Sequence, residues 1–216
     1  MRVLVTGGSG VLGRAAVPRL RAAGHDVIAP ARTELDLFDP AAAEAALAAA
    51  DAVLHLATRI PPPDAMDDPE AWHENDRLRS DASRILVDAA LRRTTSVYVQ
   101  PTVAFVYAAV DEADEETPLG DVPATLRSAL DAEAEASRFA AAGRRGVVLR
   151  FGLLDGPGTA NATPRTAAGA TLHVADAGRA LVPALDVPSG IYNVCRDNER
   201  VSNRRFKRAS GWRPAL

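Results

Sequence analysis

The first thirty residues alternate between short apolar runs and one long stretch with helical periodicity. Arg2–Val5 is an apolar run, and glycines interrupt the chain shortly after it. From Val11 to Ala23, apolar residues recur every three or four positions, which predicts an amphipathic helix that ends at Gly24. A second apolar run, His25–Ala29, predicts another strand. The chain therefore begins with a strand–helix–strand unit.

The same alternation continues to about residue 195. Short apolar strands separated by helices predict a parallel sheet that is covered by helices on both faces, with right-handed crossovers. The predicted fold is a Rossmann-type, doubly wound α/β domain, and the tail from Arg196 is predicted to be polar and irregular. The further strands are predicted at 51–56, 96–99, 146–151 and 191–194, and the further helices at 40–50, 72–91, 124–141 and 175–185.

Composition excludes several classes of function. There are 25 Lys and Arg residues against 28 Asp and Glu residues, a net charge of −3, so no basic field attracts nucleic acid. No apolar run approaches the roughly 18 to 20 residues that span a bilayer. The first residues lack the layout of a signal peptide, so we expect a cytoplasmic protein. The histidine spacings predict no metal site, and Cys195 is expected to be a buried packing residue.

A glycine pattern follows the first strand. Gly7, Gly10 and Gly13 have the spacing at which one glycine makes a tight turn, one admits a diphosphate and one lets a helix pack on a strand. The N-terminus of the following helix offers free N–H groups and the positive end of its dipole to phosphates. This stretch therefore predicts a dinucleotide site.

The end of the second strand bears on the choice of cofactor. An acid at this place commonly binds the ribose 2′-hydroxyl of NAD, but the strand ends in Ala29-Pro30-Ala31-Arg32. Arg32 is able to pair with a 2′-phosphate through charge-assisted hydrogen bonds. We therefore expect NADP in preference to NAD, with a solvated surface arginine as the alternative interpretation.

Several segments, in chain order, resemble the short-chain dehydrogenase/reductase superfamily, most closely its extended, NAD-dependent epimerase/dehydratase-type branch. They include the Thr6–Gly13 turn, Asp51–Thr58, Leu149–Gly158, His173–Asp176 and Gly190–Val194, and they cover about residues 1 to 195. The resemblance implies contacts with the adenosine half of the cofactor from the segments that follow the second and third strands. The cofactor-binding residues expected on these grounds are Gly7, Ser9, Gly10, Val11, Leu12, Gly13, Arg32, Asp36, Leu37, Ala57 and Thr58.

The catalytic residues of that superfamily have no full counterpart. Its oxidoreductases use a Tyr-x-x-x-Lys pair and a Ser or Thr, and the last of these corresponds to Thr102. None of the three tyrosines has a lysine four residues later, because Lys207 is the only lysine.

By spacing, Arg127 and Asp131 occupy the positions of the pair. A register shifted by two residues gives Thr125 and Ala129 instead. Thr102 and Tyr107 remain the candidate catalytic residues, with Tyr107 as a displaced acid.

The resemblance also implies a larger C-terminal substrate lobe than this chain provides. Only 14 residues, Thr159 to Leu172, separate Gly158 from His173. We expect one domain over residues 1–216, in which about 152–216 forms a reduced appendage. Two alternatives follow for the site: it is more open than is usual in the family, or the second subunit of a homodimer closes it. The expected ligand is a small carbonyl, alcohol or sugar-like metabolite. The candidate substrate contacts are Trp72, Arg79, Arg127 and Phe151.

Two other classes of function stay open. The missing Tyr-x-x-x-Lys pair also favours a dinucleotide sensor or scaffold without redox chemistry, or a repurposed cyclase or lyase of secondary metabolism.

Overall fold

The computed structural model describes residues 1–107, 110–162, 170–198 and 200–216. Within them, six parallel strands form one sheet in the order β2-β1-β3-β4-β5-β8. A second, two-stranded parallel sheet pairs β6 with β7. The strands are β1 Arg2–Thr6, β2 Asp26–Ile28, β3 Ala52–His55, β4 Val97–Val103, β5 Arg145–Phe151, β6 Leu153–Asp155, β7 Thr171–His173 and β8 Gly190–Val194.

Helices cover both faces of the larger sheet, as predicted. The predicted helix over 72–91 is interrupted by a π-helical turn at Leu78–Ala82, and the predicted helix over 175–185 ends early, before a 3-10 turn at Pro183–Leu185. Proline lacks the N–H that would continue the helical hydrogen bonds. The α-helices are α1 Val11–Ala22, α2 Pro40–Ala46, α3 His73–Arg77, α4 Ser83–Leu91, α5 Ala124–Ala141, α6 Val174–Ala180 and α7 Arg204–Ser210.

The core lies in two layers, one on each face of the sheet. Because successive side chains of a strand point to opposite faces, Val3 and Val5 pack with α1 and α6, whereas Leu4 packs with α2, α4 and α5. The irregular tail predicted from Arg196 is wrong in part, because α7 buries Phe206 against Tyr192 and Trp212. No helix among the described residues is long and apolar enough to cross a bilayer.

Strand order places the ligand-binding crevice. The chain leaves β1 for β2 on one side and later returns to β3 on the other, so the order reverses between β1 and β3. In open α/β sheets, ligands bind outside the carboxyl ends of the strands at such a switch point. Part of the short connection between Gly158 and His173, residues 163–169, lies outside the described residues, as does Glu199.

Candidate functional site

The glycine turn lies at this switch point. Gly7 has a positive φ of 69°, and a Cβ there would lie 2.6 Å from the backbone nitrogen of Ala57, beyond the end of β3. A Cβ at Gly13 would lie 2.3 Å from the carbonyl oxygen of Gly7. Glycine is therefore needed at both positions so that the turn, α1 and the segment after β3 can pack closely.

Gly10 differs from these two glycines because it is exposed and its surroundings are open. A Cβ there would meet only the carbonyl oxygen of Gly7, at 3.2 Å. Gly10 is the N-cap of α1, and no side chain caps this helix. An uncapped N-terminus with space in front of it fits a diphosphate, because its N–H groups and dipole favour an anion. Gly7, Gly10 and Gly13 thus lie together in one turn at the switch point, and their contact with a dinucleotide stays a prediction.

The other cofactor candidates surround this turn. Ser9 is exposed and its carbonyl accepts a 2.6 Å hydrogen bond from Arg14, while Val11 and Leu12 are half-buried in the first turn of α1. Gly158 lies over this turn, since a Cβ there would lie 3.3 Å from Nη2 of Arg14 and 4.0 Å from Val11. The segment after β6 therefore borders the N-terminus of α1.

The adenosine side is built by the segments after β2 and β3. Arg32 is highly exposed and pairs with Glu74 at 2.8 Å, and Arg59 reaches the same carboxylate at 3.7 Å. The carboxylate of Glu34, a residue that sequence reasoning missed, accepts a 2.7 Å hydrogen bond from the amide nitrogen of Ala31. Arg32 is therefore next to the expected site, but it already has an acidic partner.

The remaining cofactor candidates lie in the same two segments. Asp36 and Thr58 are exposed, Ala57 contacts Gly7, and Leu37 packs on the core beneath α2.

The candidate catalytic residues belong to a buried polar network. The hydroxyl of Thr102 donates to Oε1 of Glu133 at 2.8 Å. The guanidinium of Arg150 donates to both oxygens of that carboxylate, at 2.9 and 2.6 Å. Both charged side chains are less than a tenth exposed. Sequence reasoning missed this pair, although two charges at otherwise apolar positions of α5 and β5 were a visible signal.

Tyr107 joins the network from the other side. The guanidinium carbon of Arg150 lies 4.9 Å from its ring centroid, and its phenol donates to Oδ1 of Asn193 at 2.5 Å. Burial raises the pKa of Tyr107 above its ordinary value, and the nearby Arg150 partly opposes this. The hydroxyls of Thr102 and Tyr107 are both engaged with side chains of the protein.

The burial of α5 distinguishes the two registers for the missing pair. Arg127 and Asp131 are exposed, whereas Ala129 is fully buried and Thr125 is half-buried. The positions that face the sheet are therefore those of the shifted register. This placement does not support substrate contact by Arg127, because its side chain lies on the solvent face of the helix.

The other substrate candidates are separated from one another. Trp72 is buried and its indole donates to the carbonyl of Met66 at 2.9 Å, and Phe151 is enclosed in the core beside α1 and α6. The protein itself covers these two rings, so their placement does not favour ligand contact. Arg79 is also buried, in the π-helical turn, and differs from them in having unpaired donor groups. No cluster of three or more metal-ligating side chains occurs in the described ranges.

A buried histidine fixes the helical segment that follows β3. Nε2 of His55 lies 2.9 Å from the carbonyl of Leu78, and Nδ1 lies 2.6 Å from the hydroxyl of Thr6. The carbonyl only accepts, so Nε2 carries the proton and Nδ1 accepts from Thr6. Burial lowers the pKa of His55 to about 4, so the neutral ring stabilises the fold.

This histidine predicts a loss of stability in mild acid. A group whose pKa is depressed in the folded state contributes fully above its unfolded pKa, near 6.5, and its contribution falls as pH approaches the folded value. We expect His55 to lower the free energy of unfolding by about 2 kcal/mol between pH 7 and pH 5. Urea unfolding at both pH values measures this, with His55→Gln removing the effect and exposed His73→Gln retaining it. Equal pH dependence in wild type and His55→Gln contradicts the assignment.

Three comparisons relate this geometry to known proteins. The model of the NAD dependent epimerase/dehydratase family matches residues 3–195. A 3-diazoavenalumate denitrifying reductase from Streptomyces sp. is 35% identical over an alignment that covers 86% of this chain and 72% of that protein.

Solved structures share the fold at lower identity. UDP-glucose 4-epimerase from Thermotoga maritima, with UDP-glucose, superposes with a TM-score of 0.83 at 16% identity, covering 100% of this chain and 94% of that one. RMD from Pseudomonas aeruginosa, complexed with NADPH, gives 0.78 at 22% identity, covering 100% and 92%.

Proposed function

Because the chain belongs to the NAD-dependent epimerase/dehydratase family, we propose that it is an NAD(P)H-dependent reductase that replaces a diazo group of a small organic acid with hydrogen. The observation that carries the proposal is a combination: 35% identity to a diazo-acid denitrifying reductase, and the lack of any Tyr-x-x-x-Lys pair in the sequence. The identity to that relative suggests the class of substrate. The missing pair is the reason for proposing a reaction that needs no general acid.

The proposed reaction balances without a proton donor. NAD(P)H, held at the turn of Gly7, Gly10 and Gly13, would supply one hydride, whose electron pair would form the new C–H bond. The C–N bond breaks with its electrons passing to the leaving dinitrogen, so the carbon is reduced and the cofactor is oxidised by two electrons. Reduction of a carbonyl, in contrast, must also deliver a proton to oxygen, which is the task of a general acid. Alkyl diazonium ions lose nitrogen unaided, so the expected substrate carries the diazo group as an aryl diazonium cation, whose positive charge the hydride cancels.

The network around Thr102 agrees with a reaction of this kind. Glu133 accepts from both Thr102 and Arg150, and Tyr107 donates to Asn193. These bonds hold the floor of the site at the carboxyl ends of β4, β5 and β8. The task left to the protein is to hold an electrophilic ring against the cofactor and to exclude water, which would compete with the hydride.

The test is stoichiometric. Purified protein receives NADPH and an aromatic acid with a ¹⁵N-labelled diazonium group, and headspace ¹⁵N₂, NADPH oxidation and the reduced acid are measured together. We expect a ratio of one to one to one. Consumption of the diazo compound without NADPH oxidation supports the lyase alternative. Cofactor binding without turnover supports a sensor. Either result overturns the proposal.

Tyr107→Phe separates this reaction from carbonyl reduction. The proposed reaction needs no acid, so we expect the variant to retain at least about a third of the wild-type rate of N₂ release. A reaction that used the phenol as general acid would lose roughly 10²- to 10⁴-fold. Initial rates with saturating NADPH measure the difference, and Arg84→Ala, on the exposed side of α4, controls for general effects of substitution. A decrease of a hundredfold or more in the rate of N₂ release would show that Tyr107 acts as the general acid.

We further propose NADPH as the preferred cofactor, on the basis of Arg32. Its guanidinium would exchange Glu74 for the 2′-phosphate, and a charge-assisted hydrogen bond of this type is worth about 1.5 to 3 kcal/mol. Arg32→Ala is therefore expected to reduce the ratio of NADPH to NADH affinity roughly tenfold or more. Arg59→Ala, which removes the other partner of Glu74, is the matched control and should leave the ratio unchanged. Calorimetric titration measures both, and an unaltered ratio in Arg32→Ala rules out this role.

A further inference from the structure

Two buried residues in consecutive turns have donor groups without partners. Arg79 is 5% exposed, and its Nε and Nη1 atoms have no hydrogen-bond partner among the described residues. Asn75, one turn earlier, is 0% exposed, and its Nδ2 is also unpartnered, while its Oδ1 accepts from the amide of Arg59. Buried polar groups are almost always paired, and an unpaired buried cation is especially costly. Two such residues lie one helical turn apart, and a polar ligand that accepts from both would satisfy their donors.

The place of these donors in the fold is the substrate side of the crevice. Leu78, next to Arg79, bonds through its carbonyl to His55 at the carboxyl end of β3. The same segment packs against α5, where Ser128 donates to Asp76 at 2.7 Å. The carboxyl ends of β3 and β4 border the cofactor crevice, so this segment lies where a substrate would meet the reactive end of the cofactor.

The charges around Arg79 leave its guanidinium free to bind. The acids that face it are Asp76 and Glu133. Glu133 already accepts from Arg150 and Thr102, and one oxygen of Asp76 accepts from Ser128. No described residue forms an ion pair with Arg79 within 4 Å. The two acids therefore offset part of its charge, while Nε and Nη1 keep no hydrogen-bond partner among the described residues.

We propose that Arg79 and Asn75 bind the carboxylate of an aromatic acid substrate: an unpaired guanidinium N–H of Arg79 donates to one oxygen, and Nδ2 of Asn75 donates to the other. The inference rests on the proposed function and adds the residues that select an acid over a neutral analogue. The guanidinium keeps its positive charge at any working pH, so it favours a carboxylate over an uncharged amide. Anchored at this end, the acid presents its ring toward the cofactor.

Binding measurements test the inference without turnover. Wild-type protein saturated with NADP⁺ is titrated calorimetrically with 4-hydroxycinnamate and with 4-hydroxycinnamamide, which lacks the charge. We expect the acid to bind at least tenfold more tightly than the amide. We expect Arg79→Met to weaken the acid at least tenfold and the amide less than threefold. Arg84→Met, an exposed arginine on α4, is the matched control and should change neither affinity.

Stability of the ligand-free protein separates a binding role from a structural one. Arg79→Met removes a buried cation without a partner, so its midpoint of urea unfolding should equal or exceed that of wild type. A lower midpoint with unchanged affinity for the acid would show a structural arginine and overturn the inference. Equal affinity of wild type for acid and amide would also overturn it.

The two proposals fail in different ways. If the acid binds through Arg79 but no N₂ is released from any diazo acid, the proposed reaction is wrong and the carboxylate site stands. If N₂ release from the acid is equal in wild type and Arg79→Met, the site is wrong and the reaction stands.

Discussion

Gly10→Val is expected to abolish NAD(P) binding while the protein remains folded. A Cβ at this position would project into the open space in front of the uncapped N-terminus of α1, where the diphosphate must approach the backbone. Loss of these contacts should weaken binding at least a hundredfold, about 2.7 kcal/mol. The backbone at Gly10 is extended, with φ −70° and ψ 176°, so the side chain brings only a mild contact of 3.2 Å with Gly7.

Calorimetry with NADPH and NADH measures this effect, and thermal unfolding checks the fold. Ala22→Val makes a comparable addition at the exposed last residue of the same helix, so it reports any general cost to α1. Wild-type affinity in Gly10→Val would place the diphosphate elsewhere. If Gly10→Val does not fold, Gly10→Ala, which adds a single carbon, is measured in its place. Binding at wild-type strength by the folded Gly10→Ala variant would contradict the site.

Glu133→Ala should be the most destabilising substitution in the site. Its carboxylate is the shared acceptor for Thr102 and for the buried guanidinium of Arg150. Removing one partner of a buried ion pair leaves the other charge uncompensated, at a cost of about 3 to 5 kcal/mol. Glu135→Ala, two residues along the same helix, breaks a more exposed pair with Arg138 and should cost about 1 kcal/mol or less.

Urea unfolding monitored by circular dichroism measures both variants. A double variant, Glu133→Leu with Arg150→Met, tests whether the unpaired charge of Arg150 causes the loss of stability. If the uncompensated charge is the cause, replacing both partners by apolar side chains should recover much of the lost stability. A Glu133→Ala variant that unfolds like Glu135→Ala would show that this network does not hold the site together.

Regular elements could be predicted from sequence because their cause is local. The apolar runs at β1, β3, β4 and β5 and the periodicity of α1 and α5 follow from burial on one face or two, and the parallel, doubly wound sheet that they predict is confirmed. The interrupted helix after β3 could not be predicted, because the bond from His55 to Leu78 joins residues 23 apart. The same holds for α7, where Phe206 is held by contacts with Tyr192 and Trp212.

The candidate site divides in the same way. The spacing of Gly7, Gly10 and Gly13 is a local pattern with a backbone reason, and the structure places all three at the switch point. The network of Thr102, Glu133 and Arg150 forms only when β4, α5 and β5 come together, so spacing alone left the register of α5 open. Burial in the folded protein distinguishes the two registers of α5. The structure also shows that donors of Arg79 are buried without partners, which no sequence pattern indicates.

In the proposed reaction, hydride replaces dinitrogen without any proton transfer to the substrate, and isotopic labelling distinguishes the two sources of hydrogen. The reaction is run with NADPH deuterated at C4 on each face in turn, and with unlabelled NADPH in D₂O. The product acid is then examined by mass spectrometry and NMR. We expect one deuterium at the carbon that carried the diazo group, delivered from one face of the cofactor, and none from D₂O. Deuterium from solvent at that carbon, or a product without cofactor-derived label, would contradict it.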